Sequence, residues 1–151
     1  LNPDGLMLSN GPGDPAENVV PIAELAKLSG KLPIFGICLG HQLLALAHGG
    51  ETVKLKYGHR GVNQPVKEVS GTRTYITSQN HGYAVESASL PACAKESFVN
   101  VNDGTCEGVR YEDIPAFSVQ FHPEACGGPR DTEFLFHDFM QLMERGQSIC
   151  H

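Results

Sequence analysis

Long apolar runs are missing from this sequence. Nothing in its 151 residues approaches the roughly 20 consecutive apolar positions that a membrane-spanning helix needs, and no stretch reads as a signal peptide. Positive charge is also scarce. Eleven scattered Lys and Arg stand against seventeen Asp and Glu, for a net charge of -6, which argues against a nucleic-acid partner because phosphate-backbone affinity comes from clustered cations. The five cysteines, Cys38, Cys93, Cys106, Cys126 and Cys150, are odd in number and lack any C-x-x-C spacing. That excludes a small disulfide framework and the usual zinc arrangements, and the expectation is reduced thiols in the cytoplasm. Repeats, low-complexity tracts and linker-like stretches are absent too, so residues 1–151 read as one continuous domain.

What is present alternates between strand and helix signals. A strand is expected at Gly5 to Ser9, then a loop "NGPGDP" whose glycines and prolines exclude regular structure. A helix follows with dense apolar positions Val20, Ile22, Ala23, Leu25, Ala26 and Leu28, ended by Gly30. Pro33 to Ile37 is a short apolar run suited to a strand buried on both faces, and "LGHQLLALAHGG" is a helix stopped by Gly49 and Gly50. Thr52 to Pro65 reads as polar and irregular. "RTYITS", "SFVNV", "EGVRY" and "AFSVQFH" read as strands. The tail "DTEFLFHDFMQLMER" carries Leu135, Phe139, Leu142 and Met143 on one helical stripe with Phe136 and Met140 beside it. The pattern predicts an α/β layer fold, a mostly parallel central sheet with helices on both faces. Because "LNPDG" feeds directly into the first strand, the sequence reads as a fragment whose first strands lie upstream.

One turn asks for an explanation. In "GICLG", Gly36 and Gly40 flank Cys38 two residues away on each side, where the buried strand gives way to the helix. This is the spacing of the nucleophile elbow, in which a sharp strand-to-helix turn strains the nucleophile's backbone and leaves its neighbours no room for a Cβ. A sulfur placed there projects from a strand end at a helix start, where the helix dipole and free N–H groups favour negative charge. A core cysteine in an ordinary turn is an equal alternative for the motif alone. A nucleophile also needs a base, and "QFHPEA" offers His122 at a strand end with Glu124 two residues on, spaced so that a carboxylate can turn back onto the imidazole. By itself that segment fits a solvated surface turn better. If the strands ending at Ile37 and Phe121 point their C-terminal ends into one crevice, however, the sulfur and the imidazole can meet there.

Taken together, "SNGPGDP", "GICLGHQLLALAHGG", "YGHRGVNQPV", "SQNHGYAV" and "QFHPEA" resemble the class I, triad-type glutamine amidotransferase family, and within it the branch serving carbamoyl-phosphate synthase. The resemblance covers nearly the whole chain and implies a flavodoxin-like fold. It implies Cys38 as nucleophile, His122 as general base and acid, and Glu124 as its orienting carboxylate. Gly13 and Leu39 would offer backbone N–H groups to an oxyanion. Gly11, Gln42, Asn80, Gly82 and Tyr83 would hold glutamine, with Tyr83 standing where the family often has phenylalanine. By the same resemblance a separate amino-terminal domain precedes Leu1, and ammonia passes to a large synthetase subunit or fused synthetase domain. That partner would bind ATP, Mg and bicarbonate, with no cofactor or metal in this domain. An inactive regulatory module and a cysteine hydrolase on a similar elbow are the rival readings. His41 matches the family motif, where packing or hydrogen bonding explains it as well as catalysis would, and His48, His59, His81 and His137 receive no catalytic role.

Overall fold

Ile34, Phe35, Gly36 and Ile37 are all buried, and this four-residue strand (β2, Ile34–Ile37) is the axis of the structure. It lies between two parallel neighbours, β1 (Leu6–Leu8) and β7 (Ala116–Val119). A strand covered on both faces has no use for polar alternation, which is why the sequence there is a continuous apolar run. The computed structural model describes residues 2–124 and 132–149 of the chain. Its sheet has seven strands in the order β1-β2-β7-β6-β5-β3-β4, completed by β3 (Glu51–Glu68), β4 (Thr74–Glu86), β5 (Ala94–Asn100) and β6 (Cys106–Tyr111).

The α/β class and the helices on both faces stand as expected, but the parallel character is confined to β1, β2 and β7. The four remaining pairings are antiparallel. The cause is connection length: β5, β6 and β7 follow one another through short turns, which only antiparallel neighbours permit. One face carries α2 (Leu39–Ala47), whose Leu44 and Ala45 pack with Ile34, Val109 and Tyr111, and α1 (Val19–Leu28) leans on α2. The opposite face carries α3 (Phe134–Ile149), whose Leu135 and Phe139 pack with Phe35, Val119 and Phe121. Ile34 and Phe35 thus point into different cores from adjacent positions, each burial contributing about 1.5–3 kcal/mol.

Several local expectations need correction. Of the apolar positions in α1 only Leu25 is buried, while Val20 stays exposed, because α1 touches the rest of the molecule along one narrow line. Met140 likewise faces outward on α3. The start of the tail helix at Asp131 lies outside the described residues, as do Cys126 and Cys150. Thr52 to Pro65 is no irregular loop but part of the 18-residue β3, paired with β4. Most of β3 is solvated, so no apolar alternation marks it, and Gly58 and Gly61 with positive φ accompany breaks in its register. The strand read at "RTYITS" runs on through "SQNHGYAV" as β4. No helix among the described residues is long and apolar enough to cross a membrane.

Candidate active site

The parallel pairing of β2 with β7 brings the two chemical segments together. Ile37 is in register with Val119, and the Cys38 N–H donates to the Val119 carbonyl at 2.9 Å. The chain then turns straight into α2, with Cys38 at its N-cap in a backbone conformation of φ 55° and ψ -108°. Among the described residues Cys38 is the one non-glycine with positive φ. The flanking glycines follow from the packing that this turn imposes. A Cβ on Gly36 would sit 2.8 Å from the Gly40 carbonyl, and one on Gly40 would overlap Leu8 on β1. The first turn of α2 therefore lies against two strands with no room for side chains between. Gly40→Ala is expected to force β1 and α2 apart and to cost about 1–3 kcal/mol, as overpacking does. A thermal melt unchanged from wild type would contradict this close approach.

His122 stands three residues beyond the end of β7, and its N–H donates to the Ser78 carbonyl at 2.9 Å, tying it to β4. Its Nδ1 lies 2.9 Å from Glu124 Oε1, the two-residue return anticipated from the sequence. The influence of Cys38, followed by the hydrogen bond to Glu124, outweighs burial and lifts His122 to about 10. Burial would raise Glu124, yet its hydrogen bond to His122 leaves it below the ordinary carboxylate range. The row is thus a sulfur, an imidazolium and a carboxylate, the residue types that a nucleophile, a proton carrier and an orienting group require.

Cys38 and His122 open onto a cavity of about 420 Å³, within the range of small-molecule sites. Of the residues expected to bind substrate, Gly11, Gly13, Gln42, Asn80, Gly82 and Tyr83 line it. Leu39 does not; its side chain tucks beneath Gly11, and only its backbone, at the first position of α2, borders Cys38. Gln42 acts first as a brace: its Nε2 donates to the Tyr83 carbonyl at 2.7 Å and to Gln120 Oε1 at 2.8 Å, pinning α2 to β4 and β7. Arg60 and His81 also line the cavity and were missed. A signal for His81 was available, since Thr77, Gln79 and His81 alternate in β4 and all are buried, an unusual polar row on a core face. Arg60 places the cavity's one fixed cation, among the described residues, on its wall. His59, His81 and Glu107 bring potential metal-ligand atoms within 4.8 Å of one another, although both ring nitrogens of His81 already lie 2.7 Å from protein oxygens.

Residues 1–142 match the profile of the glutamine amidotransferase class-I family. The carbamoyl phosphate synthase small chain of Clostridium perfringens is 57% identical over 141 residues, covering 93% of this chain and 40% of that one. The small chain of Methanocaldococcus jannaschii is 57% identical over 143 residues, covering 95% and 40%. The chain therefore spans about 40% of the length of the curated relatives it matches. A Thermoplasma acidophilum protein named for a subunit of GMP synthase shares the fold with a TM-score of 0.81 at 24% identity, over 97% of this chain and 75% of that one. A Thermotoga maritima glutamine amidotransferase does so with a TM-score of 0.65 at 22% identity, over 93% and 65%. With the sequence match running from the first residue into α3, and the fold recurring in proteins of much lower identity, the chain belongs to the class-I glutamine amidotransferase family.

Proposed function

We propose that the chain hydrolyses the side-chain amide of glutamine on Cys38 and supplies the ammonia to a carbamoyl-phosphate synthase large subunit in the cytoplasm. The observation that carries this reading is that Cys38, His122 and Arg60 line one cavity, with His122 Nδ1 2.9 Å from Glu124 Oε1. The sulfur adds to the carboxamide carbon, and the oxyanion sits against the backbone N–H groups of Leu39 and Gly13. His122 gives its proton to the amide nitrogen, the C–N bond breaks and ammonia leaves. A glutamyl thioester remains on Cys38. Water then adds to it as His122 removes a proton, the C–S bond breaks, and glutamate and the free sulfur are restored. Glu124 holds the imidazole in the orientation that both transfers need. Arg60 suits the α-carboxylate of the substrate, while Gly11, Gln42, Asn80, Gly82 and Tyr83 shape the remaining wall.

The names of the relatives, carbamoyl phosphate synthase small chain, support a synthetase as the recipient of the ammonia, and the family resemblance implies that ATP, Mg and bicarbonate would bind on that partner. The test is to mix the chain with glutamine, alone and with a large chain, quench in acid and look for a glutamyl adduct on Cys38 by peptide mass spectrometry while counting glutamate released. An adduct that forms and decays at the rate of glutamate release is the expected result. Glutamate production with no adduct under single-turnover conditions removes the thioester route. A folded chain that forms neither, yet alters the activity of its partner, favours a regulatory module instead.

A further inference from the structure

Behind the cavity lies a buried row of ionisable groups that the hydrolysis steps do not use. His59 on β3 and His81 on β4 are cross-strand partners, their rings 5.0 Å apart and perpendicular. His59 Nε2 lies 2.7 Å from Asp103 Oδ2, and its Nδ1 lies 3.3 Å from Glu107 Oε1. Glu107 is wholly buried, and Asn100 Nδ2 donates to the same Oε1 at 3.2 Å. Gln79, whose amide favours the ionised form of Glu107, bridges to His81, with its Oε1 2.7 Å from His81 Nε2. The orientation of that amide is set by Thr77: the Thr77 hydroxyl donates to the Gln64 carbonyl and accepts from Gln79 Nε2 at 3.0 Å. The other nitrogen of His81, Nδ1, lies 2.7 Å from the Tyr83 carbonyl, the oxygen that also accepts from Gln42.

Three features make this row more than a buried polar accident. Register breaks flank it in the β3–β4 ladder, between Lys54 and His59 and between Gly61 and Gln64, so backbone pairing is interrupted where the cavity wall must be held. The row ends on the wall itself, because His81, Gly82 and Tyr83 line the cavity. It is also a costly way to fill a core, since replacing buried ion pairs with apolar side chains is often neutral or stabilising.

We propose that Asp103, His59, Glu107 and Gln79 are positioning residues for the glutamine pocket, acting through His81 to fix the Asn80–Tyr83 wall. This rests on the glutaminase reading. The Glu107 contact, opposed by burial and aided by Asp103, raises His59 to about 9, so His59 carries the proton at neutral pH. Burial pushes Glu107 upward while His59 draws it back, and the ion pair is the direction that the geometry favours. Burial lowers His81 to about 4 against the pull of the Tyr83 carbonyl, with His59, His122 and Arg60 adding positive charge around it. A neutral His81 donates from one nitrogen only, yet both of its nitrogens face oxygens. How Thr77 holds Gln79 therefore decides whether His81 supports the Tyr83 carbonyl, while the His59 ring, held by Asp103 and Glu107, packs directly against His81.

The test compares wild type with Glu107→Gln, His59→Asn and Asp103→Asn in the full chain with its synthetase partner, the Asp103 side chain being half-exposed and so safe for folding. Steady-state glutaminase kinetics are read together with Cys38 alkylation by 6-diazo-5-oxo-L-norleucine, which needs the pocket, and by iodoacetamide, which does not. The expected result for Glu107→Gln and His59→Asn is a KM for glutamine raised about tenfold with kcat within about threefold, a loss of ground-state positioning. Reaction with the diazo reagent should weaken in parallel while iodoacetamide labelling holds. In Asp103→Asn the 15N shifts of the His81 ring, which Asp103 does not touch, should move. Unchanged KM together with unmoved His81 shifts in Asp103→Asn overturns the proposal, whether or not the other two variants fold. A wild-type chain that neither hydrolyses glutamine nor takes up the diazo reagent overturns the glutaminase reading instead, and the His81 shifts still decide the coupling along the row.

Discussion

Replacing Cys38 with alanine is expected to abolish glutamate release, a fall of roughly 10⁴-fold or more as for other enzymes that lose a covalent nucleophile. His122 and Glu124 would still be paired in that variant, yet no other thiol among the described residues lines the cavity. The same position yields a second result with opposite sign. At φ 55° and ψ -108° Cys38 occupies a region that residues with a Cβ avoid, and such strain costs about 1–3 kcal/mol. Alanine retains that Cβ; glycine does not. Cys38→Gly is therefore expected to be as inactive as Cys38→Ala but more stable by about 1–3 kcal/mol in denaturant unfolding. Stability gained by removing the Cβ at this position is what a strained elbow implies. Equal stability of the two variants would mean that the backbone relaxes without help and that the turn stores nothing.

What could be read in advance tracks where local sequence decides structure. The strand at Ile34–Ile37 and the helix at Leu39–Ala47 were legible because both are buried, and burial imposes apolar composition over each short segment. Cys38 and its glycines were legible for a different reason: close backbone approach leaves only one residue type at positions 36 and 40, so the constraint is written in the residues themselves. His122 and Glu124 were legible as a pair but not as neighbours of the sulfur, because that proximity depends on β2 lying parallel to β7. Strand β3 was not legible. Its partner β4 supplies the hydrogen bonds, its exposed side chains carry no periodic burial, and its glycines mimic a loop.

The same logic explains why the histidine cluster was not foreseen. His59 and His81 lie 22 positions apart and Glu107 a further 26 along, and only the β3–β4 hairpin folded against β6 brings them together. The alternating Thr77, Gln79 and His81 marked a polar face, but not what it faced. For His41 the sequence left packing and catalysis as equal explanations; it is fully buried, burial lowers it to about 3, and its Nδ1 lies 2.7 Å from Ser118 Oγ. A neutral imidazole anchoring α2 to β7 is packing, whereas His122 pairs with Glu124 and lines the cavity with Cys38, although the residue type is the same.

Glu124→Gln is expected to lower kcat by about 10²-fold or more, and to reshape its pH dependence. The sign follows from His122, whose protonated form is favoured first by Cys38 and then by Glu124, lifting it from 6.5 to about 10. A histidine raised on folding contributes stability that is fully present below about 6.5 and lost as pH climbs through about 10. In catalysis the same proton is the one delivered to the departing ammonia, so activity should fall on the alkaline side as His122 loses it. Glutamine preserves the shape of the side chain and can still accept a hydrogen bond, but it removes the negative charge, so the alkaline limb of kcat should move down toward neutrality and pH-dependent stabilisation should fade earlier. The measurement is glutamate release at saturating glutamine from pH 6 to about 10.5, alongside thermal melts over the same range, bracketing the ionisation of His122. A limb that stays in place while kcat falls would assign Glu124 to orienting the ring alone, leaving the sulfur to hold the proton on His122.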